Sequence, residues 1–165
     1  MAKSILIIAA CTGLIFAGCG GDNDSSIGST RTAPAKSSGD ASNRGKPEVT
    51  APEGAPQQQL EETDLIEGTG EEAEAGDEVT VQYVGIGYES DEEFDSSWSH
   101  NAPFSFTLGR GEVIPAWDQG IAGMKVGGQR ELIVPPDLAY GAAGAPPAVE
   151  PNEALVFVVD LLGVK

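Results

Sequence analysis

Seven aromatic side chains are the groups in this chain best suited to build a site: Tyr83, Phe94, Phe104, Phe106, Trp117, Tyr140 and Phe157. The usual reactive constellations are missing. A single histidine, His100, leaves no histidine-based metal cluster. Both cysteines, Cys11 and Cys19, fall within the first nineteen residues, so nothing beyond them can form an intramolecular disulfide or a thiolate site. No glycine-rich phosphate loop and no Gly-x-Ser-x-Gly nucleophile elbow occurs. Carboxylates are plentiful, but Glu71, Glu72, Glu74, Asp91, Glu92 and Glu93 stand in polar runs that read as solvated loops. A function without nucleophile, metal or cofactor rests on shape, apolar contact and a few hydrogen bonds.

The stretch Gly111 to Gly120, Gly-Glu-Val-Ile-Pro-Ala-Trp-Asp-Gln-Gly, must place the largest of these rings. It ends an extended apolar segment and starts a short helix. Pro115 suits the first helical turn, where its missing N–H leaves no bond unmade and its fixed φ is already helical. Trp117 and Ile121 lie four apart and share one helix face. Gly123 or Gly127-Gly128 can stop the helix. Two readings of Trp117 stand: a core tryptophan, or a ring that floors a pocket.

Strands must supply the other walls. Leu60, Leu65 and Ile66 mark a first strand, closed by Gly68-Thr69-Gly70. Residues 78–84 alternate and are β-branched, with Val79, Val81 and Tyr83 on one face. Gly85 to Glu93 reads as a loop or a bulged hairpin. Residues 104–108 alternate again, with Phe104, Phe106 and Leu108 together. Residues 129–134 form a strand stopped by Pro135-Pro136, and Leu138 to Pro151 is a loop of Ala, Gly and Pro. The run Leu155-Val156-Phe157-Val158-Val159 predicts a central strand buried on both faces. Four or five strands and one short helix make an α+β domain, with the helix on an antiparallel sheet.

The 165-residue chain carries a net charge of −17, which argues against nucleic acid as a partner. That charge is segregated. Residues 1–50 sum to +1 and residues 51–165 to −18. Met1-Ala2-Lys3 followed by an apolar run to Gly18 has the layout of a secretory signal, too short for a comfortable membrane span. Phe16-Ala17-Gly18-Cys19 resembles a bacterial lipoprotein box, with Phe16 where Leu is usual. That resemblance implies a signal peptide over 1–18, lipidation of Cys19, and an extracytoplasmic protein held on a bacterial membrane, periplasmic or at the cell surface. From Gly20 to about Gln57 only Ile27 and Val49 interrupt small and polar residues. Such a segment cannot bury enough surface to offset its ordering entropy, so residues 19–57 read as the lipidated cysteine and a disordered tether. Its reach would be on the order of 35 Å.

Six motifs in order carry a second resemblance: Val81-Gln82-Tyr83-Val84-Gly85, Phe94-Asp95-Ser96-Ser97, residues 111–117, residues 123–128, Pro135-Pro136-Asp137-Leu138-Ala139-Tyr140-Gly141 and Leu155-Val156-Phe157. Residues 58–165 resemble the FKBP-type peptidyl-prolyl cis-trans isomerases. The resemblance implies a five-stranded antiparallel half-barrel wrapped around one short helix. It also implies a pocket for proline-containing polypeptides and macrolide inhibitors, with no cofactor and no metal. By position, Trp117 becomes the pocket floor and Phe94, Phe104 and Phe157 its walls. Tyr83, Val113, Ile114 and Val149 complete the substrate-binding lining. The Tyr140 hydroxyl and the Ile114 N–H become carbonyl-binding donors, and Asp95 orients polar groups at the rim. Asp95, Tyr140, Trp117 and Phe157 are the residues implied for catalysis. His100 stands where many relatives carry a basic residue, and is either a pH-dependent partner of Asp95 or a loop histidine in water.

The chemistry suits that inventory. Rotation about a peptide bond faces a barrier of about 18–20 kcal/mol, because the C–N bond has partial double-bond character. The two X–Pro isomers differ by only about 1 kcal/mol, so the reaction needs acceleration but no driving force. A twisted amide has lost resonance and is less charge-separated than the planar one, and an apolar pocket favours it. Two functions follow: a lipid-anchored isomerase assisting folding outside the cytoplasm, or a binding or chaperone module that uses the same pocket with isomerisation incidental.

Overall fold

The protein is seen in a computed structural model that describes residues 41–165. The signal peptide expected over 1–18, Cys19 and the first part of the expected tether lie outside the described residues. Six strands and one helix follow in chain order: β1 (Glu61–Ile66), β2 (Glu78–Gly87), β3 (Glu93–Ser96), β4 (Phe104–Thr107), α1 (Pro115–Gly120), β5 (Gln129–Val134) and β6 (Leu155–Val164). The strands make one antiparallel sheet in the order β1-β5-β6-β2-β3. β4 also pairs with β2, at Glu78–Val81, whereas β3 pairs with Val84–Ile86. β3 and β4 thus share the edge beyond β2 as one interrupted strand. The expected five strand positions are present, and the open sheet wraps a short helix.

The patterning explains what is inside. Val79, Val81 and Tyr83 of β2 meet Leu155, Phe157, Val159 and Leu161 of β6 on the inner face, where Trp117 and Ile121 pack. A six-residue helix is too short to persist alone, so this packing is what holds it. β6 lies between β5 and β2, as its continuous apolar run predicts. Its outer side is covered as well: Val156, Val84, Ile86, Tyr88, Ile133 and Ala154 form a second cluster.

That second cluster revises the tether. Val49 and Ala51 pack against it, together with Trp98. Arg44 reaches Asp160 on β6, and Lys46 reaches Glu93 on β3. Residues 41–51 are therefore packed on the sheet, where the sequence pattern predicts an unpacked tether as far as Gln57. The local composition carries no sign of this, because the polar partners of Arg44, Lys46 and Ala51 lie forty or more residues away in sequence.

Candidate functional site

α1 is held in place by polar residues at both ends. Pro115 opens it, and the Ile114 carbonyl accepts from the Trp117 N–H at 2.9 Å. Asp118 in the first turn accepts from the Gly109 and Gly111 N–H groups at 2.8 and 2.9 Å. Those glycines have φ of 76° and 68°, so the carboxylate fixes a left-handed turn that delivers Val113 and Ile114 to the helix start. At the other end, Arg130 of β5 donates to the Gly120 carbonyl at 2.9 Å and grips Asp64 at 2.6 and 3.0 Å. A cation on the last helical carbonyls satisfies orphan acceptors and suits the helix dipole. Gly120 lets the helix approach the sheet, since a Cβ there would stand 2.7 Å from Leu132 Cδ2.

Trp117, 5% exposed, is the hub of the aromatic site. Its ring lies 4.9 Å from Tyr83, 5.4 Å from Phe157, 5.8 Å from Phe106 and 6.1 Å from Phe104, most of them edge-on. Phe157 meets Phe94 edge-on at 5.6 Å. Edge-to-face pairs suit the ring quadrupoles, and burying a ring of this size contributes roughly 4–6 kcal/mol. The indole N–H is buried and donates to no group among the described residues, so apolar contact fixes the ring. Val149 is buried in the same cluster, and Val113 and Ile114 pack against it. Phe104 and Tyr140 are each 40% exposed, so both are open to solvent.

A β-bulge explains how Phe94 and Asp95, adjacent in sequence, both serve this side. Gly85 pairs with Asp95 and Ile86 with Glu93, so Phe94 is the extra residue. A regular strand would send neighbours to opposite faces, and the bulge re-aims one of them. Gly85 makes the room: a Cβ there would stand 2.7 Å from Phe157 Cε1 and 2.8 Å from Phe94 Cζ. The Tyr83 hydroxyl donates to Asp95 Oδ2 at 2.6 Å. Burial raises the Tyr83 hydroxyl well above the ordinary tyrosine range, and the Asp95 hydrogen bond and charge push it further. Burial, then the Asp95 charge, also raises Tyr140. Both phenols therefore stay protonated donors at neutral pH. His100 Nε2 lies 3.6 Å from Asp95 Oδ1, with both side chains partly in water. Among the described residues no group accepts a hydrogen bond from the Ile114 N–H.

The fold thus brings Tyr83, Phe94, Asp95, Phe104, Trp117 and Phe157 together, with Val113, Ile114 and Val149 in the surrounding apolar cluster. Tyr140 follows a short 3-10 turn at Pro136–Leu138. Sequence reasoning missed four supports. Asp118 and Arg130 are ordinary polar residues in their segments, and Gly85 reads as a loop boundary. Ser97 is buried and accepts from the Tyr83 N–H at 2.9 Å, so the serine after Phe94-Asp95-Ser96 ties that segment to β2.

Comparison with known proteins gives a consistent result. Residues 69–162 match the family described as FKBP-type peptidyl-prolyl cis-trans isomerase. An FK506-binding protein of Streptomyces anulatus is 52% identical over 120 residues, which is 72% of this chain and 97% of that protein. An FK506-binding protein of Neisseria meningitidis serogroup A is 48% identical over 101 residues, 61% of this chain and 92% of that one. The crystal structure of AtFKBP13 superposes with a TM-score of 0.61 at 36% identity, covering 67% of this chain and 96% of that chain.

Proposed function

Because the chain belongs to the FKBP-type peptidyl-prolyl cis-trans isomerase family, we propose that it accelerates rotation of X–Pro bonds in the pocket over Trp117, without covalent steps. The aromatic cluster around Trp117 carries this reading. The proline ring lies on the indole, between the Phe94–Phe157 pair and Phe104. The Tyr140 hydroxyl and the Ile114 N–H donate to substrate carbonyls. Asp95 holds the Tyr83 hydroxyl and leaves its other oxygen toward His100 at the rim. The planar amide is the more charge-separated state, so an apolar enclosure raises it relative to the twisted one. Such differential binding is what lowers a barrier. Relatives are named for FK506, and the same pocket is proposed to take that macrolide.

The setting is proposed from the early sequence. The run before Phe16-Ala17-Gly18-Cys19 supports export and lipidation at Cys19, and so an extracytoplasmic site on a bacterial membrane. The clients would then be exported polypeptides with slow X–Pro bonds.

A protease-coupled assay on a short X–Pro peptide tests the activity, and tryptophan fluorescence tests the site. Trp98 packs against the outer cluster, whereas Trp117 belongs to the inner one, over which the pocket is proposed. Trp98→Phe should keep the FK506-dependent fluorescence change. Trp117→Phe should lose it and bind about tenfold more weakly, because Phe covers less area. Signal lost in Trp98→Phe but kept in Trp117→Phe would place the ligand elsewhere. Binding without any acceleration of isomerisation would leave a binding module.

A further inference from the structure

Residues 44–51 grip the sheet at several points. Arg44 Nη1 lies 2.5 Å from Asp160 Oδ1, and its Nη2 donates to the Gly127 carbonyl. Asp160, 1% exposed, sits in the most apolar strand, and Arg44 is the one cation paired with it among the described residues. Gln129 Nε2 adds donors at 3.1 and 3.2 Å. A carboxylate buried so deeply is costly without a cation, so Arg44 is a built-in latch. Further along, Val49 and Ala51 pack, as Trp98 does, against the outer cluster that includes Val84 and Ile86 of β2. At the far end the contacts reach the β2–β3 hairpin. Lys46 Nζ lies 2.6 Å from Glu93 Oε2, and the Ala51 N–H donates to Asp91 Oδ1 at 2.8 Å.

Those two hairpin contacts stand immediately before the bulge that aims Phe94 and Asp95 into the pocket. β3 is an edge strand of four residues that pairs with β2 at three positions only. So slight an element opens locally at little cost, and its place depends on whatever else holds it. We propose that residues 44–51 form a positioning strap for the pocket: Arg44 latches it on β6, and Lys46 and Ala51 fix the hairpin and so set the Phe94 wall and Asp95. The inference rests on the reading of that pocket as an X–Pro site. Exposed ion pairs contribute little to global stability. Losing Lys46 should therefore show in the pocket far more than in unfolding. Lys46 and Arg44 act through β3 and touch no substrate.

The test uses the full chain, with amide hydrogen exchange and peptide kinetics on Lys46→Met, Arg44→Met and the conservative Lys46→Arg. Lys46→Met should speed exchange of the Glu93–Ser96 amides about fivefold, leaving β5 and β6 as in the parent. It should raise KM for a short X–Pro peptide about threefold with kcat within a factor of two. Lys46→Arg should behave as the parent, and Arg44→Met should reproduce the effect if it folds. Parental exchange at Glu93–Ser96 in Lys46→Met would overturn the strap, whether or not the protein proves active. Uniformly faster exchange, or faster exchange with unchanged KM, would overturn the positioning role. A parent that neither binds nor isomerises the peptide would instead sink the functional reading, while the exchange data still decide whether the strap holds β3.

Discussion

At the scale of single residues, much of the site depends on what is absent. Gly85 is the clearest instance. It stands in a strand where a β-branched residue would pair better, yet its missing side chain is the space in which Phe94 and Phe157 meet. A methyl at that position would stand within 2.8 Å of both rings, so one of them must turn. Overpacking of this kind costs about 1–3 kcal/mol. Gly85→Ala should lower kcat/KM about tenfold while the protein still folds, because the strain falls on pocket walls. A variant with parental turnover would show that the Phe94–Phe157 contact does not matter for the reaction. That these aromatic residues lie together was legible from their motifs, whereas composition alone does not separate them from Tyr88 and Trp98, which pack at the outer cluster. Gly85, Asp118 and Arg130 were not legible, because each owes its role to a partner distant in sequence or to a clash that only the packed fold defines.

At the scale of elements, alternation foretold β2 and β4, the run stopped by Pro135-Pro136 foretold β5, and the long apolar run foretold a central β6. β3 escaped because its bulge places Phe94 and Asp95 toward one side, which removes the period of two that marks a strand. The strap escaped because it has no period at all. On β5, Glu131 faces the outer side between Val158 of β6 and Thr63 of β1, two residues from Glu61 on the same face of β1. Burial raises its carboxyl above the ordinary range, and the Glu61 charge adds to this. A carboxyl raised on folding adds stability that is fully present below its unfolded pKa and lost as pH rises through the folded value. At neutral pH the ionised group is therefore a burden to the fold. Glu131→Gln should raise Tm by about 2 °C at pH 7, the size expected of a few tenths of a kcal/mol in a small domain. The gain should vanish below about pH 4, where the parent carboxyl is itself neutral. A gain of equal size at both pH values would assign it to packing or propensity.

At the scale of the whole molecule, charge and composition divide the chain in two. Residues 51–165 carry −18 and build the sheet, while residues 1–50 carry +1 and include Arg44 and Lys46, which pair with the buried Asp160 and the more exposed Glu93. Docking of residues 41–51 shortens whatever link joins the domain to Cys19. If residues 19–40 behave as their composition predicts, their reach is about 25 Å, rather than the longer span of a tether running to Gln57. An anchored domain would then work close to a lipid surface. The proposal depends on Cys19, whose lipidation would add about 0.8 kcal/mol of membrane affinity per buried CH₂ and so hold the protein firmly with two or more acyl chains. Expressed from its full sequence in a bacterium, the parent should partition into the detergent phase on Triton X-114 separation. Cys19→Ser should move to the aqueous phase and keep its isomerase activity, since the pocket is built from residues 83–157. A parent already in the aqueous phase would remove the anchor. A Cys19→Ser protein that stays with detergent would mean that the apolar run before the cysteine is retained and holds the membrane itself.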